Sequence, residues 1–253
     1  MKKFALIGTP IAHSLSPALF KACYPSGDMV YELLERPTIE LSMAALKEGG
    51  YSGANVTAPY KEAIMQFVTY PDPISNTLQA TNLIILKEKQ VFSYNTDYFA
   101  ARKMVKEFIH SRANNQDSPK AIVIGCGGAG KAAALACRDE NINTVIANRT
   151  ISKAKTFAST IGIEAISIDK AEELLKTLSL DNLNSLKDIL VIYTLPVAEP
   201  SISKELYSIT TVIEANYKNP YLNHTSGLQW LEYQAAEGFK ILTGITPNFP
   251  KQH

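Results

Sequence analysis

The run Lys120-Ala121-Ile122-Val123-Ile124-Gly125-Cys126-Gly127-Gly128-Ala129-Gly130 leaves the chain few ways to fold. An apolar, β-branched stretch stopped by glycine predicts a short buried strand, and Ala129 to Glu140 has helix-forming composition. This is the strand-turn-helix setting in which a glycine fingerprint binds a dinucleotide. Gly125 takes the tight turn, Gly127 lets backbone approach a pyrophosphate, and Gly130 allows close helix-on-sheet packing, with Gly128 and Ala129 between them also expected to bind the cofactor. Pyrophosphate is then expected on the helix N-terminus, where unpaired N–H groups and the dipole favour an anion.

The next predicted strand, Thr144 to Ala147, ends in Asn148-Arg149-Thr150. An NAD enzyme usually carries an acidic residue there, yet no carboxylate occurs between Asn141 and Glu164. Arg149 offers a donor fork to a 2′-phosphate, Thr150 a hydroxyl and Lys153 a further cation. The expected cofactor is therefore NADP, although charge pattern alone also fits solvated surface residues.

Twenty-five basic and 24 acidic residues give a formal charge of +1, so the chain as a whole lacks the electrostatic footprint of a nucleic-acid or anionic-membrane binder. With 253 residues, 46% of them hydrophobic, it can bury one large core or two modest ones. Three cysteines, Cys23, Cys126 and Cys137, fit a reducing, cytoplasmic setting, and none has metal-ligand spacing to a histidine. No metal is expected. The apolar start contains Gly8 and Pro10 and is cut by His13, Ser14 and Ser16, so it reads as a first strand and not a signal peptide. No apolar run approaches the ~18 residues needed to span a bilayer.

Before Lys87 the pattern alternates: strands Lys3–Ile7, Val30–Leu34 and Ala54–Val56, with helices after Pro17, around Glu40–Lys47 and from Pro59. Leu83–Leu86 and Val91–Tyr94 predict an antiparallel hairpin at the edge of this first unit. Thr96 to His110 predicts a connecting helix with Phe99, Met104, Val105 and Phe108 on neighbouring turns, and 111–119 has loop composition. Strands at Ala121–Ile124, Val145–Ala147, Ala165–Ile168, Asp188–Ile192 and Thr211–Ile213 then predict a doubly wound parallel sheet. The expected fold is α/β: an N-terminal α/β domain over 1–111, a Rossmann-type dinucleotide domain over 112–226, and a C-terminal segment, 227–253, returning to the first. Its helix, Gly227 to Phe239, places Leu228, Leu231, Ala235 and Ala236 on one face.

Two polar loops follow strands of the first domain, where open α/β sheets place their ligands. In the first, Ser14 and Ser16 face one ligand if the loop is extended, or Ser16 caps the helix begun by Pro17. In the second, Asn55 and Thr57 offer an amide and a hydroxyl. Lys61 stands in the first turn of the helix begun by Pro59, where the positive dipole end opposes its charge. Asn82 and Asn95-Thr96-Asp97 add polar groups at strand ends, and Asp97 either pairs with Lys61 or caps the connecting helix. Converging, these groups would suit a polyhydroxylated acid.

Gly8-x-Pro-Ile-x-His-Ser-x-Ser-Pro17, Asn55-Val-Thr-x-Pro-x-Lys61, Asn95-Thr-Asp97, the glycine turn, Asn148-Arg-Thr150 and Gln234-Ala235 stand in one order. By these motifs the chain resembles the shikimate dehydrogenases over nearly its full length. The resemblance implies NADPH-dependent, reversible reduction of 3-dehydroshikimate to shikimate on the route to chorismate and the aromatic amino acids. It implies Lys61 and Asp97 as the catalytic pair, and Ser14, Ser16, Asn55, Thr57, Asn82 and Gln234 as substrate ligands. Tyr217 is then expected near the nicotinamide and the substrate carboxylate. The implied partner is this small-molecule substrate, bound by a monomer or homodimer. The chain departs from the family pattern at Tyr193-Thr-Leu-Pro196, which lacks an amide usual there. It departs again at Gln79 and Ser93, where glycines are usual, and at Gln229-Trp230-Leu231, in place of a common Gly-Met-Leu. Two other readings stand beside it: a quinate/shikimate dehydrogenase using NAD, and a catalytically idle NADP-binding regulatory relative.

Overall fold

The computed structural model describes residues 1–112, 119–181, 188–196, 203, 205, 210–218, 220–221 and 226–249. The chain divides into two compact units, Met1–Thr96 with Gln234–His253, and Asp97–Tyr233.

The first unit is built on a six-stranded mixed sheet of order β2-β1-β3-β5-β6-β4. The strands are β1 (Lys2–Gly8), β2 (Met29–Glu35), β3 (Gly53–Val56), β4 (Tyr70–Pro71), β5 (Leu83–Lys87) and β6 (Gln90–Tyr94). Its helices are α1 (Ser16–Cys23), α2 (Ile39–Glu48), α3 (Tyr60–Ala63), which runs into a 3₁₀ turn at Ile64–Phe67, and α4 (Pro73–Leu78). β1 lies parallel between β2 and β3 and is buried from Phe4 to Gly8. A strand covered on both faces reads as a continuous apolar run, as this one does. Ala5 and Ile7 point into a core with Met43 and Leu46 of α2 and Ile64 of the 3₁₀ turn. Phe4 and Leu6 point the other way, to Phe20 of α1 and to Ala235, Phe239 and Leu242. Those three residues belong to the C-terminal helix, which returns to the first unit as the sequence implies.

The expected hairpin is present as β5 and β6, joined by Glu88 and Lys89 at φ 48° and 75°. Two left-handed residues make the primed turn that suits the strand twist. The hairpin is not the sheet's edge, because β4 pairs parallel with β6 outside it. Neither β4 nor α4 is foreseen from sequence: one is two residues long, and the other is a six-residue helix capped by Asp72, which accepts from Ser75 N–H at 2.7 Å.

The second unit contains α5 (Thr96–Ser111, from Asp97 onward), β7 (Lys120–Ile124), α6 (Gly128–Asp139), β8 (Asn143–Ala147), α7 (Ile151–Ile161) and β9 (Glu164–Ile166). It continues with α8 (Ile168–Asp181), β10 (Ile189–Tyr193), β11 (Thr211–Glu214) and the first half of α9 (Ser226–Thr243). The sheet is wholly parallel, with order β11-β10-β7-β8-β9. Numbered within the unit, that is 3-2-1-4-5 read from β9, the doubly wound pattern that reverses direction at β7.

Several expectations shift. Ile168 starts α8 and does not end a strand, since Ser167 Oγ accepts the N–H of Lys170 at 3.3 Å and turns the chain into the helix. Most of the expected loop 111–119, namely 113–118, lies outside the described residues. The expected boundaries at 111 and 227 differ from the observed division, in which α5 falls with the second unit. Its polar side chains explain this: Tyr98 donates to Asp139 at 2.7 Å, Arg102 pairs with Glu140 at 2.5 Å and Arg112 with Asp188 at 2.8 Å. Phe99 and Leu228, which the sequence places with the apolar residues of their helices, are 41% and 43% exposed. Tyr98, Ala101, Met104, Val105 and Phe108 form the buried stripe of α5 instead.

Gln79 ends α4 in the left-handed region, at φ 47° and ψ 42°. Its side chain compensates only through an exposed 2.7 Å bond to the Asn76 carbonyl. Gln79→Gly is expected to stabilise the first unit by about 1 kcal/mol. Thermal unfolding would show this as a midpoint raised by roughly 2–4 °C.

Candidate functional site

In the first unit, parallel pairing of β1 with β3 brings their following loops to the same sheet edge. Thr57 N–H donates to the Ile7 carbonyl at 2.9 Å and Thr9 N–H to the Ala58 carbonyl at 3.2 Å. The approach requires Gly8: a Cβ there would lie 2.4 Å from Thr57 Cγ2 and 2.9 Å from the Ala58 oxygen.

Ser14 and Ser16 do come together, with their hydroxyls 3.2 Å apart. Their local roles are the reverse of the capping alternative. Leu15 is the N-cap of α1 and makes no side-chain cap bond, while Ser14 Oγ accepts the N–H of Ser16 at 3.2 Å. Ser16 is buried and does not cap.

Asn55, Asn82 and Gln234 form one network. Asn55 Oδ1 accepts from the Tyr31 hydroxyl at 2.8 Å, and its Nδ2 donates to the Asn82 carbonyl at 3.3 Å. Asn82 Oδ1 accepts the Thr96 N–H at 2.7 Å, while its Nδ2 donates to Thr96 Oγ1 at 2.9 Å and to Gln234 Oε1 at 3.4 Å. Lys61, half-buried on α3, is pinned at its backbone, where its carbonyl accepts the Thr81 N–H at 2.8 Å. Thr57 lies between these groups in the chain, half-buried in its turn.

Tyr31 is the residue that sequence reasoning misses. Burial pushes its phenol well above the usual range, so it stays a donor to Asn55. Nothing local marks it, because its partner lies 24 positions away.

In the second unit, Gly125 has φ +105° and donates to the Ala147 carbonyl at 2.8 Å. The carbonyl of Gly125 would lie 2.0 Å from a Cβ on Gly130, so α6 starts against the strand end as the fingerprint requires. Gly127 is the N-cap of α6, with no side-chain cap bond and open space where a Cβ would stand. The first turn, with Gly128 and Ala129, carries no acidic residue, an arrangement suited to an anion. Asn148 is first of all a brace: its Oδ1 accepts the Cys126 N–H at 3.2 Å and its Nδ2 donates to the Thr150 carbonyl at 3.0 Å. Arg149, Thr150 and Lys153 are exposed beyond β8 and at the start of α7. The Thr194 hydroxyl donates to the Ile124 carbonyl at 2.9 Å, and Tyr193, where the family pattern has its amide, is buried with its ring centroid 5.8 Å from that of Tyr221.

Tyr217 is half-buried in the loop after β11. Glu214 anchors that loop, accepting from the Tyr221 N–H and donating its own N–H to Ser226 Oγ at 2.7 Å. Asp97 is buried, and its Oδ1 accepts the Trp230 indole N–H at 3.0 Å. Asn82, not Asp97, takes the N–H of Thr96 at the start of α5. Among the described residues no group of His, Cys, Asp and Glu side chains is arranged to hold a metal, and no helix is long and apolar enough to cross a membrane.

Gly130→Ala forces a Cβ onto the Gly125 carbonyl. It is expected to destabilise the second unit by about 1–3 kcal/mol and weaken dinucleotide binding by roughly tenfold or more, read by denaturant unfolding and titration.

Residues 6–84 match the family model described as the shikimate dehydrogenase substrate binding domain, and residues 107–184 match that of shikimate / quinate 5-dehydrogenase. The shikimate dehydrogenase (NADP(+)) of Pyrococcus abyssi is 31% identical over 98% of this chain and 94% of its own length. That of Caldanaerobacter subterraneus subsp. tengcongensis is 31% identical over 97% and 86%. A Thermus thermophilus shikimate 5-dehydrogenase, solved in complex with NADP(H) and shikimate, superposes with TM-score 0.75 at 26% identity, covering 98% of this chain and 95% of that one. With two successive family models matched and a full-length relative above 30% identity, the chain belongs to the shikimate dehydrogenase family.

Proposed function

We propose that this protein catalyses the reversible, NADPH-dependent reduction of 3-dehydroshikimate to shikimate, a step of chorismate and aromatic amino acid biosynthesis. The observation that carries this reading is the pairing of family membership with a basic, carboxylate-free turn at Asn148-Arg149-Thr150. Arg149 and Lys153 supply the charge that a 2′-phosphate needs, and Asn148 braces that turn against the glycine loop. The N–H groups from Gly127 to Gly130 take the pyrophosphate.

When bound, NADPH supplies a hydride to the substrate's carbonyl carbon. The protein's own task is the proton and the pose. Lys61 gives the proton to the developing alkoxide on reduction and takes it back on oxidation, coupled to Asp97. Ser14 and Ser16 donate to the substrate carboxylate. Asn55, Thr57, Asn82 and Gln234 recognise the ring hydroxyls, their orientation set by Tyr31 and Thr96. Tyr217 stands at the nicotinamide end of the substrate.

The NAD-linked quinate reading is the weaker one. The quinate dehydrogenase of Corynebacterium glutamicum, solved in complex with NAD, shares the fold at TM-score 0.76 but only 19% identity. Arg149 stands where an NAD site wants a carboxylate. An idle relative would have no use for both Lys61 and Asp97. All three cysteines are buried and none is in a disulfide, and burial pushes the Cys23 thiol up to about 11. Unreactive thiols fit a reducing, cytoplasmic setting, and we assign the enzyme there as a monomer or homodimer.

Initial rates with shikimate or quinate, each with NADP or NAD, test this reading. Shikimate with NADP is the expected productive pair. Lys61→Ala should cut kcat about 10²–10⁴-fold with little change in KM for shikimate. Turnover kept, with KM alone raised, would make Lys61 an orienting residue. Arg149→Ala should raise KM for NADP roughly 10- to 100-fold while leaving the NAD reaction unchanged.

A further inference from the structure

Trp230 is the chain's single tryptophan, on α9 of the second unit, 133 residues from Asp97. It is 4% exposed and Asp97 is 3% exposed. An indole has one polar atom, Nε1–H, and it can only donate. Buried beside a carboxylate, it commits Asp97 Oδ1 at 3.0 Å.

We propose that Trp230 is a positioning residue for Asp97: its indole N–H holds one carboxylate oxygen and thereby sets the orientation in which Asp97 takes part in proton transfer. The inference rests on the catalytic role proposed for Asp97. An aspartate in the first turn of a helix can otherwise swing to the N–H groups of its own helix. The indole opposes that swing and makes the two oxygens unequal.

The ring is itself held in register. One residue before it, Gln229 Nε2 donates to Glu107 Oε2 of α5 at 2.9 Å. Three residues after it, the Tyr233 hydroxyl donates to Glu107 Oε1 at 2.7 Å, with the Lys103 ammonium 3.7 Å from the Tyr233 ring centroid. α9 is therefore fixed along α5 on the C-terminal side of Asp97, and the indole reaches the carboxylate from a fixed base.

The test compares Trp230→Phe, Trp230→Met, Asp97→Asn and the double change Trp230→Phe/Asp97→Asn. Phe keeps an aromatic ring without the donor, and Met fills the space with a flexible apolar side chain, also without a donor, should Phe fold poorly. Either single change should lower kcat for shikimate oxidation about tenfold with KM within about twofold, and add no further loss once Asp97 is Asn. Without ligands, Asp97→Asn should also shift the fluorescence of the one tryptophan. An equal loss in both backgrounds, KM rising in step, or unchanged kcat would make Trp230 a packing residue and overturn the inference while wild-type turnover leaves the functional reading intact. A wild-type enzyme silent towards shikimate would overturn both, and the two failures are thus told apart.

Discussion

The polar cluster of the first unit hangs on the side chain of Asn82. Its oxygen takes the N–H of Thr96, and its nitrogen is shared between the Thr96 hydroxyl and Gln234. Its backbone carbonyl takes the amide of Asn55 and the N–H of Val56. The neighbouring Thr81 pins the backbone of Lys61. One buried amide therefore sets β3, the start of β5, the start of α5 and the returning half of α9 in mutual register. Such a network is costly if any member is left unpaired, so it holds its shape before a ligand arrives. Under the proposed function, a ligand with several hydroxyls would meet partners already aimed, and less of its binding energy would be lost to ordering them.

The cofactor side depends on a backbone constraint. Gly130 packs against the Gly125 carbonyl, Gly125 turns with positive φ, and Thr194 and Asn148 close on the turn from β10 and from the end of β8. The exposed residues, Arg149 and Lys153, can then be chosen for charge alone. At the departure from the family pattern, Tyr193 fills core beside Tyr221, while the neighbouring Thr194 hydroxyl bonds the strand end.

The parallel strands are legible because both of their faces are covered, which leaves apolar runs such as Phe4–Ile7 and Ala121–Ile124. The glycine turn is legible because its steric demand allows almost no other residue. Legibility fails where partners are distant. Tyr31 and Trp230 look like ordinary strand and helix residues until the fold brings them to Asn55 and Asp97. It also fails where a residue's local and long-range duties compete. Ser16 has the look of an N-cap, yet Ser14 makes the bond to its N–H, and Asp97 has the look of a helix cap, yet the indole holds its Oδ1.

The core of the first unit is closed by Ala235, Phe239 and Leu242, with the Phe239 ring edge-on to those of Phe20 and Tyr31. These side chains come from the far end of the sequence. During vectorial synthesis the amino-terminal sheet emerges first but waits, one apolar face bare, until more than a hundred further residues have left the ribosome. The intervening unit, contiguous from Asp97 to Tyr233, can complete itself in that interval. Domains usually mature in the order in which they are made. Here the order is inverted, because the segment 1–96 precedes the contiguous unit yet has its core closed by residues that follow it.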